Sequence, residues 1–185
     1  MAEKFNFDFE NIDEETNDFV GSNKPTEGKY QDDFVTFWRS SGMLGIRKIN
    51  NTEKDGVMFT FMQGEGNKDP KQNTYKKDTR TMFSVEKEEL FDLIHRCDEI
   101  LAAAKANQLA TKYSLTHKYK EETKTLNIAQ SEKNPNTVFA GITKGSDRIS
   151  IMMSVKDFEY FVFSLKMILY EIYVGSRVGF TVNWM

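Results

Sequence analysis

The stretch NKDPKQNTYKKDTR, residues 67–80, sets Lys68, Lys71, Lys76, Lys77 and Arg80 against Asp69 and Asp78, with Tyr75 among them. Cations spaced along an extended segment can neutralise successive phosphates, and a ring beside them can stack on a base. Lysine interleaved with an aromatic residue is therefore the footprint expected of a surface that holds single-stranded nucleic acid. The same residue types also make an ordinary solvated hairpin, since Asn, Asp, Pro and Lys are common in loops. Arg47, Lys48, Lys118, Lys120, Lys124, Lys144 and Arg148 are the other cations on extended runs. Phe59 and Phe61 share one face of such a run at period two, with Met58 and Met62 on the other. One face must be core and the other is a candidate aromatic platform; Tyr119 and Phe139 are weaker candidates.

Other chemistries lack a pattern. His95 and His117 fall in different copies, and His95 and Cys97, two apart on a helix, point to different sides, so no metal site is read from them. Gly64-Glu-Gly66 lacks the third glycine of a dinucleotide fingerprint, and neither a phosphate loop nor a nucleophile elbow occurs. The adjacent Glu88 and Glu89 read as a solvated helix turn. No catalytic residue, metal or cofactor is expected, and the chain does not read as an enzyme.

The charge divides unevenly along the chain. Residues 1–33 hold ten acids and three lysines, net −7, which leaves 18 acids and 22 bases, net +4, in residues 34–185. A mildly basic body is thus preceded by an acidic segment with too little apolar surface to offset its ordering entropy, read as a disordered tail. Its Phe5, Phe7, Phe9 and Phe19 would serve as anchors for a partner or for the protein's own surface, or as an extra edge strand. Transcription or replication proteins are the partners such a tail would suit. The single Cys97 lies in a helical apolar pattern and reads as a core residue. No apolar run approaches the roughly 18 residues of a membrane span, so a soluble, cytoplasmic protein is expected, nucleoid-associated or in an infected host cell.

The elements that must carry these residues come in two copies. Residues 82–91 read MFSVEKEELF and residues 152–161 read MMSVKDFEYF, so that Met82/Met152, Ser84/Ser154, Val85/Val155, Glu89/Glu159 and Phe91/Phe161 coincide at an offset of 70. Each Ser stands at the end of an extended run and before a helical period, the position of an N-cap. Leu90, Ile94, Cys97, Leu101 and Ala104 make one apolar stripe, and Phe158, Phe161, Val162, Leu165, Ile168, Leu169 and Ile172 a wider one. Upstream lie short extended runs: about 43–50, 57–63, 74–77 and 80–83 in the first copy, with Lys54-Asp55-Gly56 as a hairpin turn. In the second they are about 113–120, 124–130, 137–144 and 148–153, with a turn at 144–147. Residues 102–111 continue the first helix rather than forming a flexible hinge. The sequence predicts an α+β fold of two ββββα repeats, 34–111 and 112–185, in one compact body. The end, Phe180 to Met185, reads as a closing strand.

A repeated unit of four strands and a helix, with a Phe-Ser-Val or Met-Ser-Val step into the helix, resembles the superfamily of Pur-alpha proteins, plant Whirly proteins and positive-cofactor-four transcription coactivators. The second copy is similar to a Pur repeat at ISIMMSVKDFEYFVFSLKMILYEIY, 149–173. The first is similar to the coactivator unit, from GMLGIRKINNTEKDGVMFTF, 42–61, to TRTMFSVEKEELFDLIHRCDEIL, 79–101. The resemblance implies a binder of single-stranded DNA or RNA whose sheets carry the strand while its helices build the core or a homodimer contact. Two features depart from it: the acidic segment is N-terminal, and no DNA-contact motif maps residue by residue onto the second copy. The alternative function is a protein–protein adaptor that docks a polymerase complex.

Overall fold

Alternation of apolar and polar residues, followed by a switch to helical spacing, occurs twice and produces two units of the same kind. A computed structural model describes residues 35–50, 55–66 and 75–178. The first unit is β1 (Val35–Arg39), β2 (Gly42–Asn50), β3 (Asp55–Gly64), β4 (Tyr75–Glu86) and α1 (Lys87–Lys105). The second is β5 (Tyr113–Tyr119), β6 (Glu122–Gln130), β7 (Thr137–Lys144), β8 (Asp147–Ser154) and α2 (Val155–Val178). Each unit is an antiparallel meander, in the order β1-β2-β3-β4 or β5-β6-β7-β8, followed by its helix. The α+β class and the two ββββα repeats are as expected. The N-terminal tail, Lys68, Lys71 and the closing segment from Phe180 lie outside the described residues. Among those described, no helix is long and apolar enough to cross a membrane.

The first unit departs from the sequence reading in three places. β1 was not anticipated: Phe37 faces inward opposite Leu44, and Trp38 lies on the other face opposite Met43. The two runs at 74–77 and 80–83 are one strand, β4, whose register jumps from Phe61↔Thr81 to Gln63↔Lys76. The extra residues bulge out, and Thr79 fills the gap in the ladder: its hydroxyl accepts the Gln63 N–H at 2.9 Å and donates to the Lys76 carbonyl at 2.6 Å. Asp55 and Gly56 are not a turn, for they already pair with Asn50 and Ile49. Gly56 is needed for close approach, because a Cβ there would meet the Val85 carbonyl oxygen at 2.2 Å. In the second unit the expected hairpin forms, with Lys144 opposite Asp147 and Gly145 at φ 58°. The connection between units is helical only to Lys105, and Asn107, at φ 54°, lies beyond the end of α1.

The repeat is real, but its structural register is 68 residues, not 70. α1 follows Glu86 and α2 follows Ser154. The buried Leu90, Leu93, Ile94, Cys97, Ile100 and Ala104 of α1 then correspond one for one with the buried Phe158, Phe161, Val162, Leu165, Ile168 and Ile172 of α2. The identities at offset 70 therefore place Phe91, 66% exposed, against the fully buried Phe161. Ser84 is accordingly not an N-cap; it lies in β4 opposite Met58. The cap of α1 is Glu86, whose N–H is accepted by Glu89 at 3.1 Å.

Ser154 does cap α2. Its hydroxyl accepts the Asp157 N–H at 3.2 Å and donates to the Asp157 carboxylate at 2.8 Å, while its own N–H reaches the same oxygen at 3.1 Å. Burial opposes ionisation of Asp157, but these bonds and the Arg39 guanidinium at 2.7 Å outweigh it and hold the carboxyl below its ordinary range. A depressed folded pKa gives stability that is present at neutral pH and lost as pH falls through the folded value. Ser154→Ala is expected to cost about 1 kcal/mol and Ser84→Ala less than about 0.5 kcal/mol, measured by urea unfolding at neutral pH. Equal losses would contradict the assignment of the cap.

One continuous core draws on both sheets and both helices. Phe59 and Phe61 belong to it with no exposed surface, Phe59 lying 6.2 Å from Phe161 ring to ring, so neither serves as a platform for bases. The core face of β3 is the phenylalanine face. Lys48 is also withdrawn, because it points inward and lies 3.8 Å from Glu171 with only 12% of its side chain exposed. Cys97 is buried as expected, and burial pushes its thiol pKa up.

Candidate nucleic-acid interface

Along β5 the residues Tyr113, Leu115, His117 and Tyr119 share one face. Tyr113 is buried, and burial pushes its hydroxyl pKa up to about 12. His117 comes at the margin of the core, its ring stacked on Phe83 at 4.5 Å and 17°, with Nε2 2.8 Å from Glu89 Oε1. Glu89 is thus a joint between the two units, linking the α1 cap to β5, and not the solvated side chain expected. Tyr119 lies one step farther out, where the core has ended, and is 74% exposed.

Between β4 of the first sheet and β5 and β6 of the second runs a cleft of about 620 Å³. Met82 and Phe83 line one wall, His117, Tyr119 and Lys124 the other, with Lys118 at the rim. Lys124 donates to the Met82 carbonyl at 3.4 Å and lies 2.8 Å from Glu122, whose other oxygen is 3.3 Å from Lys144. The hydrogen bond from Lys124, seconded by Lys144, holds the Glu122 carboxyl below its ordinary range. Glu122 is thus neutralised by its two ammonium neighbours, while Glu86 and Glu89 also line the cleft, so the positive charge lies at its border rather than along its walls. Arg47 reaches the same wall, its guanidinium 3.9 Å from the Met82 sulfur.

The open face of the second sheet adjoins this cleft. The register assigns to it Ser114, Thr116 and Lys118 of β5, Thr123, Thr125 and Asn127 of β6, Phe139 and Thr143 of β7, and Arg148, Ser150 and Met152 of β8. Among the described residues no carboxylate lies on that face. Its hydroxyls run across the strands: Thr116 and Thr125 are 2.9 Å apart, and Ser114 donates to Asn127 at 2.9 Å. Uncharged donors and acceptors with Lys118 and Arg148 exposed at its border suit phosphates and sugars.

The expected basic stretch is divided. Lys76 and Lys77 are exposed on the β4 bulge, and Arg80 is half-buried beside them. Tyr75 is no free platform: its ring packs on Trp38 at 5.0 Å and 52°, and its hydroxyl donates to the Arg39 carbonyl at 3.4 Å. Trp38, 49% exposed, is the more open ring of the pair. Lys120, at φ 56° in the β5–β6 turn, has its ammonium 5.4 Å from the Tyr119 ring centroid. Arg47, Lys118, Lys120, Lys124 and Lys144 thus gather around the cleft, while Lys76, Lys77 and Arg80 form a second group. Trp38, Met82 and the stacked His117 were missed as members of a surface. The alternation in Val-Thr-Phe-Trp-Arg was the available signal for the first; the other two depend on contacts between units.

No family model matches this sequence, and no curated protein matches it. Among solved structures four chains match. One, from the crystal structures of Trypanosoma bruciei MRP1/MRP2, shares 12% identity over 77% of this chain and 85% of that one, with a TM-score of 0.41.

Proposed function

We propose that the chain is a non-enzymatic single-stranded nucleic-acid-binding protein of the Pur-alpha, Whirly and positive-cofactor-four kind, supporting replication, recombination or transcription. The strand lies along the cleft between β4 and β5–β6 and onto the open face of the second sheet. The observation that carries this reading is the position of Tyr119, a mostly exposed ring with Lys118 and Lys124 beside it at the mouth of the cleft. Stacking on a ring tolerates any base, and flanking cations follow the phosphates, which is the chemistry of binding without a sequence code. Lys76, Lys77 and Arg148 extend the basic track in either direction.

Fluorescence anisotropy of a labelled single-stranded oligonucleotide, titrated at several salt concentrations, tests this. With roughly three to six phosphates neutralised, the log–log slope of affinity against salt is expected to be about −2 to −4. A matched duplex should bind more weakly, since its bases are not free to stack on the ring. A slope near zero, or preference for duplex, would reject the proposal.

A further inference from the structure

The 68-residue register supplies an internal control for the joints between the units. It sets Glu89 of α1 against Asp157 of α2, each the third residue of its helix and each bonded back to the N–H of the residue before the helix. Each also reaches the first strand of the opposite unit: Asp157 takes Arg39 of β1 at 2.7 Å, and Glu89 takes His117 of β5 at 2.8 Å. A guanidinium keeps its charge at any pH a protein meets, whereas imidazole is the side chain that changes charge near neutrality. The fold therefore does not require an ionisable ring at such a joint, because its other copy does without one. The joint that has the ring is the one lining the cleft.

The hydrogen bond to Glu89 decides what the ring offers to the cleft. A carboxylate only accepts, so Nε2 carries the hydrogen that Glu89 receives, in the neutral ring as in the charged one. Nδ1 of the neutral ring is then a bare acceptor, and protonation turns it into a donor. Among the described residues Nδ1 has no hydrogen-bond partner, and the side chain is 34% exposed. Stacking on Phe83 of β4 holds the ring in place in both states. The ionisable groups around it are Glu86 at the end of β4, Glu89 on α1, Lys118 and Tyr119 beside it on β5, and Lys124 directly opposite on β6, with Glu122 and Lys144 of β7 behind. Their charges cancel, three carboxylates against three ammonium groups. One added proton on His117 therefore decides the sign of the cleft.

We propose that His117 is a proton-dependent phosphate ligand of the cleft: as the imidazolium it donates from Nδ1 to a phosphate oxygen of the bound strand, and as the neutral ring it does not. The proposal rests on the nucleic-acid reading of the cleft and adds to it a contact that strengthens as pH falls. Linkage makes the effect reciprocal, since a strand held better by the protonated ring must itself favour the proton. Binding then draws protons from solution.

At constant ionic strength the affinity of the full chain for oligothymidylate is expected to rise about tenfold from about pH 8 to about pH 5.5. Thymine has no group that titrates in that range, and the chain has two histidines, His95 and His117. His95→Gln, on the exposed side of α1, should keep the whole rise, and His117→Gln should lose it. Calorimetry of the parent and of His95→Gln, in two buffers of different ionisation enthalpy at about pH 6.5, reads proton uptake with His117 unaltered. Both should take up part of a proton on binding. Affinity independent of pH, absence of proton uptake, loss of the rise in His95→Gln, or its persistence in a folded His117→Gln would each overturn the ligand while leaving the cleft as the site. No binding of oligothymidylate at any pH would instead reject the nucleic-acid reading, and this ligand with it.

Discussion

Phe161→Ala is expected to cost about 3–5 kcal/mol, the largest loss of any single substitution considered, and Leu93→Ala about 2–5 kcal/mol. Phe161 lies where the units meet: its ring is 6.1 Å from Phe37, 6.2 Å from Phe59 and 5.6 Å from Phe158. Removing it opens a cavity among rings held by the first sheet and by α2 itself, which cannot collapse to fill it. Phe91→Ala, on the exposed side of α1, should change stability by no more than about 0.5 kcal/mol. Urea unfolding of the three variants therefore measures the register of the duplication directly. If Phe91→Ala and Phe161→Ala were comparably damaging, the offset of 70 would be right and the burial pattern wrong.

The second large effect concerns binding. Tyr119→Ala should weaken affinity for a single-stranded oligonucleotide by about 1–3 kcal/mol, roughly 5- to 150-fold, while leaving its salt slope unchanged. Lys118→Ala should act in the complementary way, weakening every sequence alike and flattening the slope by about 0.7. Both side chains are exposed at strand ends, so the fold should not depend on either. Parental binding by both variants would reject the cleft and move the search to Lys76 and Lys77 on the β4 bulge.

The second unit was legible nearly to the residue because each strand alternates and each turn carries its own chemistry, as at Gly145. The first was harder for identifiable reasons. β4 looks like two strands because its bulge interrupts the period, and β1 is only five residues long. Phe59 and Phe61 were ambiguous because both faces of β3 are apolar and largely covered; Thr60 and Met62, on the far face, are buried as well. Lys48 reads as a surface cation until Glu171, distant in sequence, is seen beside it. The offset of 70 was drawn from shared residue types, whereas what the two units share is the spacing of buried positions. Tyr119 was visible as a candidate, but its standing above Phe91 or Trp38 comes from the cleft that β4 and β5 make together.

The single core shared by both units has a consequence for the order of events during synthesis. The apolar faces of β2, β3 and α1 are completed by α2 and by strands of the second sheet, so the first unit emerges from the ribosome before its cover exists. Some 70 further residues separate the end of α1 from the end of α2, a delay of about 4–15 s at ordinary elongation rates. Throughout that interval Phe37 and Phe59 lack the ring of Phe161 against which they pack. The nascent chain thus exposes these apolar faces until its second half arrives.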